Sequence, residues 1–273
     1  MSRVVTALNY AAVLSRVGEV NAAAEAQRRA IEIARGFDGA GGLPAGFALH
    51  LAGSLVRLAQ YDEAMRLIHE DLLAARASGN ARFEAIGESM LGGVLVKLGR
   101  FDEAEDHLAR AEAALRADPV GNARLLNELT LTRADRLIRS ARPNEAAAIV
   151  ATVLENLEYP SRRTAPGIGG ALYLGALAAL ASGAAAQAEQ FATDGLSAAT
   201  ATARDARRSA NVGQARLLRA RARHMQGLDE PARQDAEAAL EALSAALGAD
   251  HPETREAREL LASLGPVRAS TAN

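Results

Sequence analysis

The 273-residue chain is nearly half apolar, yet only 3% of it is aromatic, and it contains no Trp and no Cys. The missing Cys excludes disulfides, thiolate metal sites and Cys nucleophiles, and a formal charge of −2 provides no general attraction to nucleic acid or acidic membranes. A core of Ala and Leu, with few rings or β-branched residues, favours closely packed helices over sheets.

Residues 1–14 combine one Arg with a moderately apolar run, as signal peptides do. Asn9 interrupts the run, and Arg16 and Glu19 follow it, so it reads as the first helix of a hairpin and the expected location is cytoplasmic. Gly36 to Gly46 (GFDGAGGLPAG) reads as a loop. The clearest signal lies further on, where Met90, Leu91, Val94, Leu95 and Leu98 share one helical face. Gly99-Arg100 breaks that pattern. A second helix then starts at Phe101-Asp102-Glu103 and carries Ala104, Leu108, Ala111 and Leu115 on its apolar side. Two amphipathic helices joined by so short a turn fold back as an antiparallel hairpin. One hairpin cannot bury both faces, so more of them are required.

They are present. Gly18, Ala59, Gly99, Ala141, Gly183 and Gly227 each separate two helical stretches, at spacings of 41, 40, 42, 42 and 44 residues. That regularity predicts an all-α solenoid of about six hairpins, approximately 1–36, 45–78, 81–118, 122–158, 168–203 and 208–247. Acidic pairs after the turns (Asp62-Glu63, Asp102-Glu103, Asp229-Glu230) meet the positive end of the second helix, a structural role. Tyr159 to Gly170 reads as another loop. Residues 164–188 carry no charge, but Pro166, Gly167 and Gly183 interrupt them and Ala and Gly gain little from lipid, so they read as a buried helix or one facing a dry groove. A last helix, 250–264, follows with Asp250 and Glu253 arranged as a capping box. No partner hairpin comes after it, so it reads as the terminal cap of the array, with 266–273 a disordered tail.

The hairpin at 91–111 resembles the tetratricopeptide repeat family, with Leu91-Gly92 in the first helix, Gly99 in the turn, Phe101 after it, and Ala104 and Ala111 in the second helix. The resemblance spans the chain and is strongest in repeats two and three. The first-helix Trp of the family is missing, repeat four has Arg133 where an apolar residue is expected, and repeat six aligns only with a one-residue slip. The period also exceeds the usual figure of about 34 residues. Long repeats of this kind resemble those of kinesin light chains and bacterial signalling proteins, and 247–254 is similar to the inter-repeat link of that subgroup. The resemblance implies a right-handed superhelix that binds a peptide or partner protein. It also implies a concave face built from Leu131, Asp135 and Ile138 of repeat four, Tyr173, Leu177 and Leu180 of repeat five, and Leu217, Arg221 and His224 of repeat six.

On that face Leu177 and Leu180 are apolar and Arg221 is a fork for a carboxylate, which suits a peptide with a hydrophobic anchor and an acidic group or free C-terminus. Burial of repeat five under a curled solenoid or a homodimer partner accounts for the same residues. The five His residues show no zinc-helix spacing, and His107 pairs most simply with Glu103. Gly39-Ala40-Gly41-Gly42 follows a helix and lacks the Lys-Ser/Thr of a phosphate loop. Arg204, Arg207, Arg208, Arg216, Arg219, Arg221 and Arg223 lack the stacking aromatics of a nucleic-acid surface and read as a solvated face partly engaged with an acidic partner. The sequence therefore predicts a non-enzymatic protein-interaction scaffold with no cofactor, metal, nucleic acid or membrane partner. A sensor or regulatory module of a bacterial signalling system, linked to a kinase or transcription factor, is the alternative.

Overall fold

The structure is a computed structural model in which residues 2–37, 45–162, 165 and 167–265 are described. The expected tail at 266–273 and the Gly run at 39–42 lie outside these residues. Among the described residues there are thirteen α-helices, one 3-10 turn (Ala206–Arg208) and no strand. Twelve helices pair as hairpins: α1 (Ser2–Val17) with α2 (Val20–Phe37), α3 (Leu49–Arg57) with α4 (Tyr61–Ala77), and α5 (Ala81–Lys97) with α6 (Phe101–Leu115). The series continues with α7 (Ala123–Arg139) and α8 (Pro143–Asn156), α9 (Ile168–Ala181) and α10 (Ala185–Thr202), and α11 (Ala210–Met225) and α12 (Asp229–Leu247). α13 (Pro252–Ser263) stands alone at the end. The fold is an all-α solenoid of helical hairpins.

One backbone device makes every hairpin turn. Gly18, Ala59, Gly99, Ala141, Gly183 and Gly227 all have positive φ, between 57° and 87°. In each case the next N–H reaches back to a carbonyl five residues earlier, as Arg100 N–H does to Leu95 at 2.9 Å and Arg142 N–H to Leu137 at 2.8 Å. This pattern closes the helix end with a left-handed residue, the position where Gly is favoured. Two of the six are Ala. Changing Ala59 and Ala141 to Gly should therefore stabilise the protein by about 0.5–1 kcal/mol each, the left-handed strain relieved less the added freedom of the unfolded chain. A melting temperature that stays level or falls in the double variant would disprove this assignment.

Close approach within hairpins follows from small residues at fixed distances from the turn. Seven residues before it stand Ala11, Ala52, Gly92, Ala134, Ala176 and Ala220, and five residues after it Ala23, Ala64, Ala104, Ala146, Ala188 and Ala232, all buried. A Cβ on Gly92 would come within 2.8 Å of Leu108 and 3.2 Å of the Ala104 carbonyl, so that crossing leaves no room for a side chain. Ala232 also corrects repeat six, which keeps the register of the other five without a slip.

Other expectations change in detail. Leu98 is exposed, whereas Val96 is fully buried, because α5 packs on α4 as well as on α6. His107 bonds to Glu88 on α5 at 2.7 Å, not to Glu103, to which Arg100 donates through Nε and Nη2. Arg133 sits at the α6–α7 contact and pairs with Glu105 and Glu112, which explains a cation where the repeat pattern has an apolar residue. The cap of α13 is His251, whose Nδ1 accepts from Glu253 N–H; Asp250 does not serve. Pro252 holds the residue before it extended, at φ −63° and ψ 140°, and so makes that residue the cap.

The array also closes on itself. The Ala210 N–H at the start of α11 donates to the Gly18 carbonyl in the first hairpin turn at 3.0 Å. Arg204 makes two hydrogen bonds to the buried Glu19 carboxylate across 185 residues of sequence. The core that holds α1 to α5 together also contains Leu217, Leu243, Leu247 and Ala257 from the last three helices, while most of the middle repeats form cores of their own. Repeat one therefore packs on repeats five and six.

Candidate functional site

Closure turns the first helices of the hairpins toward a common interior. Groups from helices that are remote in sequence meet there. Tyr173 of α9 donates its hydroxyl to Glu253 of α13 at 3.0 Å, and Gln214 of α11 donates to both oxygens of the same carboxylate at 2.9 and 3.1 Å. Arg221 of α11 pairs with Glu256, one turn along α13, at 2.7 Å. On the other side, Asp135 of α7 accepts from Lys97 at 2.6 Å and from Arg139 at 2.9 Å. Arg57, at the end of α3, donates to the Asn211 side-chain carbonyl at 2.6 Å.

Crowding by protein shapes the electrostatics. Desolvation raises the Tyr173 hydroxyl well above its ordinary value, and the Glu253 charge it faces adds to this. Burial likewise raises Tyr61, against an opposing pull from Arg139. Burial lowers Arg57, a shift partly offset by Glu253. Glu256 is raised by burial although Arg221 pairs with it. Tyr173 and Arg57 are hydrogen-bonded and Glu256 is ion-paired, because an unpaired polar group here would lose water without compensation.

Of the nine residues placed on the concave face from sequence, Asp135, Tyr173 and Arg221 lie in this network. Leu131, Leu180 and Leu217 are buried in the hairpin cores, at 9%, 7% and 3% exposure. Ile138 and Leu177 pack half-buried against those cores, and His224 is exposed and bonded to Asp229 at 2.8 Å. The interior groups not anticipated are Arg57, Gln214, Glu253 and Glu256. The two acids are three residues apart on one helix, so they share a face, which is the only sequence signal for them.

The arginines of α11 are spoken for. Arg219, Arg223 and Arg216 converge on buried Asp235 of α12, and Arg223 also pairs with Glu189. The acidic partner expected for this face is, for these residues, part of the same chain. Among the described residues no group of three or more His, Asp or Glu could hold a metal, and no helix is long and apolar enough to cross a membrane.

No protein-family model and no curated protein sequence matches the chain. Among solved structures it is similar to the TPR2AB-domain:pHSP90 complex of yeast Sti1, with 12% identity and a TM-score of 0.39, over 97% of this chain and 99% of that one.

Proposed function

We propose that the protein is a non-enzymatic interaction scaffold whose inner face takes an acidic helix or peptide. The observation that supports this is the seat of α13. The chain's own terminal helix lies on that face with Glu253 held by Tyr173 and Gln214 and Glu256 held by Arg221. An external segment with two acids one turn apart would make the same bonds, and Leu177 beside them would take an apolar anchor.

The test is a titration of Leu177→Glu and Arg221→Glu against a partner captured from the source cell. Both variants should fold and lose at least about tenfold in affinity, the size of one lost charge-assisted hydrogen bond. Two folded variants that bind like wild type would remove the inner face from consideration. A second reading, a sensor or regulatory module, is supported by the closure. The ends meet through polar contacts and a shared apolar core, and a ligand that bound an open and a closed form of the array unequally would shift the balance between them.

A further inference from the structure

Where repeats one and two meet repeats five and six, the closed array leaves a cavity of about 740 Å³. That is within the range of about 300–1,000 Å³ typical of small-molecule sites. Its cationic side carries Arg16 at the end of α1, Arg57 at the end of α3 and Arg124 in the first turn of α7. Among the described residues no acidic side chain lines it. Most of the remaining lining is apolar, with Ile168 and Leu172 from α9, Phe191 and Ala198 from α10, and Leu218 from α11, beside the polar Tyr173, Thr202, Asn211 and Gln214.

The charges on this wall are unevenly compensated. Arg57 donates to the Asn211 amide oxygen and, at 3.4 Å, to the Ser15 carbonyl, both neutral. The nearby Glu253 carboxylate is already engaged by Tyr173 and Gln214. Arg16 is exposed and has no ion pair or hydrogen bond with any described residue. Only Arg124 has a carboxylate of its own, Glu128 at 2.8 Å. An anion beside them would give Arg16 and Arg57 the carboxylate partner that neither has among the described residues. The first turn of α9 adds Gly169 and Gly170 to the lining, and no side chain caps that helix end, so its positive pole faces the same space.

We propose that this cavity binds a small amphiphilic carboxylate, its anionic group against Arg16 and Arg57 and its apolar tail along α9, α10 and α11. The cationic wall belongs in part to the first two repeats and the apolar wall to the last two. A bound ligand therefore bridges the closure and holds the array shut. This site goes beyond the partner-binding face: variants at Leu177 and Arg221 can fail to affect a partner without touching it.

Calorimetric titration of the full chain with decanoate tests the proposal, with decanol and decyltrimethylammonium as probes of the same tail and different charge. Decanoate should bind saturably at one site and raise the melting temperature, and the two controls should bind at least about tenfold more weakly. Arg16→Ala, which breaks no hydrogen bond or ion pair with a described residue, and Ala199→Leu, which narrows the cavity, should each weaken decanoate by a similar factor. Absence of decanoate binding at millimolar concentration overturns the proposal. So does equal affinity for decanoate and decyltrimethylammonium, or affinity unchanged in both folded variants.

Discussion

Asp235→Ala should lower stability by about 3–5 kcal/mol, the cost of removing one partner from a buried ionic group. Asp235 is 2% exposed and accepts from Arg219 at 2.6 and 2.7 Å and from Arg223 at 2.8 Å, with Arg216 at 3.7 Å. Removing the carboxylate leaves three guanidinium groups facing one another at the α11–α12 contact. For a chain of this size the corresponding fall in melting temperature is about 6–20 °C. Asp235→Asn keeps the volume and some acceptor capacity and should fall between the two. Thermal denaturation measures all three proteins. A loss under about 1 kcal/mol for Asp235→Ala would mean that water already satisfies these arginines.

The second large effect is expected at Gly18. Its φ of +87° disfavours any side chain, and a Cβ there would come 2.3 Å from Ser209 Oγ and 3.2 Å from the Ala210 nitrogen. Gly18→Val should therefore cost about 2–5 kcal/mol, from left-handed strain plus overpacking. It should also push repeat one away from repeat six, because the obstruction lies in the junction itself. Limited proteolysis should then cut the segment around Ala206–Arg208 faster in the variant than in wild type. Equal cleavage would show that repeat one does not depend on this contact for its position.

Much of the fold is legible in the sequence because it is made from local rules. The six turn residues can be aligned by spacing alone, and Ala59 and Ala141 adopt the same left-handed conformation as the four glycines. The buried small residues before and after each turn follow from the same alignment. The closure is not legible. Glu19 and Arg204 are 185 residues apart, and each looks like an ordinary surface charge in its own helix. Leu131, Leu180 and Leu217 show the related difficulty at the candidate site. A helical repeat position defines a direction, but the curvature of the array decides whether that direction leads to a groove or into a core. Similarly, the arginine-rich helix α11 suggests an external acidic partner until its neighbours are known. Asp235, Glu189 and Glu256 then supply the acids from within.

Closure underlies both the inner face and the cavity, so the most direct test is the shape of the molecule in solution. Small-angle X-ray scattering of the wild-type protein should give a radius of gyration within a few ångström of the about 19 Å expected for a compact chain of this length. The value should rise in Gly18→Val. An elongated wild-type particle with a radius of gyration well above this, unchanged by the substitution, would refute the closed array and with it the cavity between its ends.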